Sequence, residues 1–114
     1  MSLLLKTGKI GTLDLKNKVV MPPMCMYKSD DSGELNTFHK YHYTSKALGG
    51  VGFIIVEATA IEPRGRISNN DLGLWCDEQI EKHKKLNIDC HFFGAKMAIQ
   101  LAHAGRKSTV VNST

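Results

Sequence analysis

Three runs of apolar residues punctuate the chain, and each gives way to residues that end a strand. Val19-Val20-Met21, led in by Lys18, stops at Pro22-Pro23; Val51 to Val56 (VGFIIV) continues into Glu57-Ala58-Thr59-Ala60; Lys96 to Leu101 (KMAIQL) opens into His103-Ala-Gly-Arg-Lys107. Short continuous apolar runs read as strands covered on both faces, the mark of a parallel sheet. Neither proline has an amide hydrogen, so ladder pairing ends just before Cys25. Between the runs lie two stretches at helical spacing. Asn36 or Thr37 caps the first, which carries Phe38, Tyr41, Ser45 and Leu48 as its apolar face and stops at Gly49-Gly50. Asp77 caps the second, with Ile80, His83, Leu86, Cys90 and Phe93 facing inward and Gly94 as the stop. Ahead of all this, Gly8 to Asn17 (GKIGTLDLKN) alternates apolar and polar residues as a small two-stranded hairpin, expected as a lid on one end of a larger body.

The resulting order is strand, helix, strand, helix, strand, with crossovers long enough for parallel pairing. Two α/β architectures satisfy it, a doubly wound sheet and a TIM (β/α)8 barrel. A dinucleotide-binding sheet wants a glycine-rich turn directly after a strand, whereas here the strands end in PPMCMY and EATA. The residues with chemistry to offer sit at the C-terminal ends of all three strands, where barrel enzymes keep their sites. The polar loop Lys28 to Leu35 is unremarkable in length. The connection Ile61 to Cys76, about sixteen residues with no periodicity, is long enough to be functional or disordered.

Composition narrows the class. The 114 residues are 42% hydrophobic, which suits one modest globular core, and the net charge of +4 is scattered among acids such as Asp77, Glu78 and Glu81. A solvated helix face explains that pattern better than nucleic-acid binding does. No run approaches the roughly 20 apolar residues of a membrane span, and the N-terminal Leu3-Leu4-Leu5 is too short for a signal peptide. Cys25, Cys76 and Cys90 are odd in number and match no zinc spacing with the five histidines, so they are expected as reduced thiols of a cytoplasmic protein, with no metal.

Three residues stand out chemically. Cys25 is either a small buried hydrophobe or, just past a strand end, a functional thiol; a nucleophile would need a base such as His103 within reach. Tyr27 either packs or uses its phenol to hold a substrate oxygen. Gln100 is an amide in an otherwise apolar strand, so it must meet donors and acceptors, from barrel-interior neighbours or from a ligand.

The segments VVMPPMCMY, GFIIVEATA, PRGRISNNDLGLW and IQLAHAGRK, in this order and spacing, resemble the start of the Old Yellow Enzyme family of NAD(P)H-dependent flavin oxidoreductases, in its thermophilic-like branch with cysteine where classical members carry threonine. The resemblance runs from about Leu15 to Lys107. It implies a (β/α)8 barrel, of which residues 1–114 supply the hairpin, three strands and two helices as the N-terminal part of a single FMN-binding domain. It further implies an FMN-dependent ene-reductase that takes hydride from NAD(P)H to an activated C=C bond of an enone, and a homo-oligomer when complete. By position, Pro22, Pro23, Met24 and Cys25 would run along the flavin, Ala58 would contact it through its backbone and Gln100 would bond its pyrimidine end. Cys25 would tune the flavin potential, and Tyr27 would position substrate. Pro22 departs from the serine expected there, removing a hydroxyl and an amide hydrogen. The family's paired histidines, proton-donating tyrosine and phosphate-binding residues belong to later strands, and about three eighths of a barrel is present here.

Two other readings remain. The segment is a non-catalytic piece that needs a second chain carrying the remaining barrel, or it is the N-terminal part of a dienoyl-CoA reductase or amine dehydrogenase, whose barrels begin in the same way.

Overall fold

The computed structural model describes residues 2–110. A 3-10 turn at Leu3–Leu5 precedes the antiparallel hairpin of β1 (Gly8–Ile10) and β2 (Leu13–Leu15), closed by Gly11 at φ 58°. Then come β3 (Val20–Met21), α1 (Thr37–Leu48), β4 (Phe53–Ala60), β5 (Leu72–Gly73), α2 (Asp77–Phe92) and β6 (Lys96–Ala102). The expected strand–helix order holds, with one strand more than the sequence pattern shows.

All pairings in the main sheet are parallel, and β4 is at its centre. One edge of β4 pairs along its length with β6, from Phe53 with Lys96 to Ala60 with Ala102. The other is shared: β3 lies beside Phe53 and Ile54, and β5 lies beside Thr59 and Ala60. Residues 61–76 are therefore ordered, contrary to a structureless loop. They hold a 3-10 turn at Pro63–Gly65 and the short β5, which has too few residues to show a period. Asp71 accepts from the Ile67 and Ser68 amides and from the Ser68 hydroxyl, tying the turn before β5 to itself.

The core lies between the sheet and its helices, with Ile54, Val56 and Leu72 meeting Tyr43, Ala47, Leu86 and Cys90. For α2, His83, Leu86 and Cys90 face inward as the spacing predicts, while Ile80 is exposed and Gln79 takes its place. Cys76 rather than Asp77 is its N-cap. Gln79 explains both changes. Its Oε1 accepts from the Trp75 and Cys76 amides, and its Nε2 donates to the Ser32 carbonyl, so a polar side chain closes the helix start.

For α1 the predicted face is wrong. Phe38, Tyr41 and Leu48 are exposed, and the buried face is His39, Tyr43 and Ala47. Two polar residues turn inward because a buried carboxylate waits for them on β4, which counting apolar positions does not reveal. Asn36 is the N-cap, with His39 completing a capping box, and the Gly49–Gly50 stop is as expected. Val20 in β3 is likewise exposed rather than covered on both faces.

The hairpin covers the N-terminal end of the sheet. Lys16 Nζ donates to the Phe93 carbonyl just before β6, and Asn17 Nδ2 donates to the Gly50 carbonyl just before β4. It is thus a plug on the end opposite the strand C-termini. No helix among the described residues is long and apolar enough to cross a membrane.

Gly52 marks how tightly this end is packed. A Cβ there would come within 2.8 Å of the Asn17 carbonyl oxygen, which is backbone and has nowhere to move. Gly52→Ala is expected to cost about 2 kcal/mol or more, in the range of overpacking. Urea unfolding checks it: an unchanged midpoint would show that the Asn17 turn yields freely.

Candidate functional site

The chain leaves β3 at Met21 and, with Pro22 and Pro23 unable to pair, runs past the middle of β4 instead of along it. Pro22, Met24, Cys25 and Tyr27 are exposed there, and Pro23 is half-buried. Cys25 is therefore not a buried hydrophobe. Cys25 and Tyr27 stand side by side. The sulfur is the main cause, ahead of burial and Asp71, that holds the Tyr27 phenol above the ordinary tyrosine range.

Tyr27 has φ 55°, the one left-handed non-glycine backbone among the described residues. For a tyrosine this conformation costs on the order of 1–2 kcal/mol, and it persists only where the surroundings impose it. They do so on both sides. Upstream, the Met26 amide donates to Glu57 Oε1 at 3.4 Å. Downstream, Asn36 Nδ2 donates to the Lys28 carbonyl at 2.7 Å, the Ser29 amide donates to the Asn70 carbonyl, and Asn70 Nδ2 donates back to the Ser29 carbonyl.

Glu57 was not singled out by the sequence, where it reads only as the polar end of a strand. It is 2% exposed. Its Oε2 accepts from Tyr43 Oη at 2.6 Å, and Tyr43 Oη in turn accepts from the Glu57 amide at 3.0 Å. Burial raises the Glu57 carboxyl above the usual carboxylate range, against the pull of these bonds, and raises the Tyr43 phenol too. A bulge makes the arrangement possible. Val56 pairs with Ile99 and Thr59 with Leu101, so β4 spends one residue more than β6 here. Strict alternation would send Glu57 to the face opposite Val56; the extra residue lets both face the helices.

Across the bulge stands Gln100, exposed in β6, and next to Glu57 stands Ala58, half-buried. Hydrogen bonds within the chain tie down the amides of Asn17, Asn36, Asn70 and Gln79, and Gln100 has none such among the described residues. The structure thus places all seven candidates, Pro22, Pro23, Met24, Cys25, Tyr27, Ala58 and Gln100, at one end of the sheet. His103 is not available as a base for Cys25. Its Nδ1 accepts from the Gly105 amide and its Nε2 pairs with Glu62, which also holds Arg64. No group of three His, Cys, Asp or Glu side chains placed to hold a metal occurs among the described residues.

Parallel strands joined through helices on one side of the sheet define a barrel-type α/β protein. The chain belongs to the NADH:flavin oxidoreductase / NADH oxidase family, whose model matches residues 4–114. It is 55% identical over 98 residues to an NADPH dehydrogenase of Clostridium acetobutylicum, covering 86% of this chain and 29% of that protein. It is 54% identical over 100 residues to one of Bacillus subtilis, covering 87% and 30%. Among solved structures, morphinone reductase superposes with TM-score 0.84 at 31% identity, over 92% of this chain and 27% of that one. The Old Yellow Enzyme from a Pichia species gives 0.86 at 28%, over 93% and 28%. The chain thus spans about 30% of the length of the curated relatives it matches. These are barrels, and the barrel alternative is the right one.

His39 gives a test of the buried network. The Asn36 amide donates to its Nδ1, which puts the ring proton on Nε2, 3.9 Å from Glu57 Oε1. Burial, then His42 and His83, push its pKa down from 6.5 to about 4. The neutral ring is the folded form, so its contribution to stability is complete above about pH 6.5 and is lost as pH falls toward 4. Glu57 acts in the opposite direction, because its charged form is the one disfavoured by burial and acidification relieves it. The ring is expected to show the Nε2–H tautomer and no titration between pH 7 and 5 by nitrogen-detected NMR; a midpoint near 6.5 would mean that it is solvated.

Proposed function

We propose that residues 1–114 form the N-terminal wall of an FMN-dependent oxidoreductase, an ene-reductase that uses NAD(P)H to reduce activated C=C bonds of α,β-unsaturated carbonyl compounds. The observation that carries this reading is the convergence of Pro22–Cys25, Ala58 and the unpaired Gln100 amide at the C-terminal ends of three parallel strands. The likeness to NADPH dehydrogenases and to an Old Yellow Enzyme supports it.

The residues present fit the cofactor. Gln100 offers both a donor and an acceptor, which matches the alternating carbonyl and N–H groups on a flavin pyrimidine. Ala58 is small enough for a flat ring to approach the β4 backbone, and Pro23, Met24 and Cys25 add an apolar and polarisable side. When bound, the flavin supplies the hydride chemistry. The protein positions and tunes: Cys25 sets a soft, polarisable contact beside the ring, and the Tyr27 phenol, kept protonated by its surroundings, donates a hydrogen bond to a substrate oxygen. Pro22 contributes shape alone at a place where a serine would offer a hydroxyl.

The wall needs its other side. Val20, Leu101, Phe38, Tyr41 and Phe92 are exposed, with Leu101 at 61% and Phe92 at 82%. The outer edges of β3 and β6 carry no pairing among the described residues. Open parallel edges and uncovered apolar surface are relieved by closing the barrel, from a continuation of the same chain or from a second chain. This segment alone is therefore expected to aggregate or to lack FMN. A soluble, monomeric 114-residue protein that purifies yellow and reduces cyclohexenone with NADPH would prove that wrong.

The completed barrel is made with the natural continuation or by joining residues 1–110 to the C-terminal part of the Bacillus subtilis relative. It is expected to bind FMN and to reduce cyclohexenone. In it, Gln100→Leu should weaken FMN retention by about 1–3 kcal/mol with little effect on unfolding, since the apolar strand accepts leucine while the flavin edge is left unpaired. Equal FMN affinity in variant and parent, measured by fluorescence titration, would remove Gln100 from the cofactor site. A completed barrel that never binds FMN would refute the function itself.

A further inference from the structure

We infer that Glu57, clamped by Tyr43, is the positioning residue that sets where Cys25 and Tyr27 stand at the site. The inference rests on the reading of Pro22–Tyr27 as a wall of the flavin site.

Met26 lies between the two candidate side chains, Cys25 and Tyr27. Its amide is held by Glu57 Oε1, and the backbone turns left-handed at the very next residue. That turn is what brings the phenol round beside the thiol. Without the upstream bond, only the bonds at Lys28 and Ser29 would oppose the return of Tyr27 to an ordinary conformation.

Glu57 is in turn fixed by what surrounds it. The bulge between Val56 and Thr59 aims it at α1, Tyr43 Oη holds Oε2 at 2.6 Å, and the Tyr43 hydroxyl is oriented by the Glu57 amide. The one loose member is His39 Nε2, buried, 3.9 Å from Oε1 and without a hydrogen-bond partner among the described residues. Oε1 therefore leans on a single long bond to Met26 and has a second donor in reserve. A buried carboxylate so placed does not touch substrate or flavin. It acts through the backbone of the segment that does.

The test uses the completed barrel in a Cys76→Ser background, so that Cys25 is the one exposed thiol of residues 2–110, Cys90 being buried. Thiols contributed by the rest of the barrel are replaced in parent and variants alike. In Glu57→Gln, the new amide either faces the Met26 N–H with its nitrogen and loses that bond, or faces Tyr43 Oη and forces the hydroxyl to turn from donor to acceptor. Tyr43→Phe removes the clamp while keeping the ring, and serves if Glu57→Gln does not fold. With cofactor absent, labelling of Cys25 by iodoacetamide is expected to change at least fivefold in either variant while the far-ultraviolet circular dichroism is unchanged. With FMN bound, the variants are expected to shift the flavin potential, and that shift is expected to vanish when Cys25→Ala is added, because Glu57 acts through Cys25. Unchanged labelling in both variants, or an equal potential shift with and without Cys25, would overturn the inference. Failure of the parent to bind FMN would refute the proposed function, and the labelling arm would still decide whether Glu57 positions Cys25.

Discussion

A carboxylate taken out of water has to be answered, and the organisation of this protein follows from how Glu57 is answered. A buried carboxylate without partners is costly enough to stay protonated or to unfold its surroundings. Here three elements meet that demand. The helix α1 turns Tyr43 inward, the strand β4 bulges to aim the side chain, and the segment after β3 lends the Met26 amide. Each contribution has a structural consequence: the inward face of α1 is polar, the parallel ladder slips by one residue, and the chain beyond the prolines is pinned to the middle of the sheet. The same bonds fix the orientation of α1 on β4 and the place of the site loop.

The sheet explains why the site lies where it does. β4 has β6 on one edge and β3 and β5 on the other, so its C-terminal half is flanked by chain on both sides. The gap between β3 and β5 is where Pro22–Met26 passes, and prolines suit a segment that lies by a strand without pairing to it. The opposite end is closed by the hairpin through Lys16 and Asn17. One end is sealed with backbone-directed hydrogen bonds and the other is left with open polar groups. That polarity puts the candidate site residues on one side and a structural plug at the strand N-termini.

Much of this was legible in the sequence. Apolar runs at 51–56 and 96–101 located the long strands and the run at 19–21 the two-residue β3, because short apolar runs that end in strand breakers favour strands, and Asn36, Gly49-Gly50 and Gly94 located helix ends because capping is local chemistry. The candidate site residues stood out because prolines, a thiol and an amide are conspicuous where apolar strands end. Most of what was missed shares one cause. The inward face of α1, the Gln79 cap and the burial of Glu57 all depend on a polar partner from elsewhere in the chain, while β5 is too short to show a period. A pattern of apolar positions records which residues avoid water; it does not record which polar residues have found each other. Glu57 sits in VEATA as an unremarkable strand end until Tyr43, fourteen residues earlier, is seen against it.

The open side of the molecule follows from the same division. The buried side chains of Glu57, Asp71 and Gln79 find their partners within residues 2–110, and the ring Nε2 atoms of His39, His42 and His83 are buried without one among the described residues. The demand on the open side is of another kind: apolar surface at Leu101 and Phe92 and the free edges of β3 and β6. Apolar burial is non-directional and tolerates many partners, whereas a ladder edge takes a strand in one register. Closing the sheet therefore calls for particular strands at β3 and β6 and for less particular helix surface against α1 and α2. The bonds that hold the chain on either side of Cys25 and Tyr27 lie within residues 2–110, whereas the open edges of β3 and β6 call for further strands.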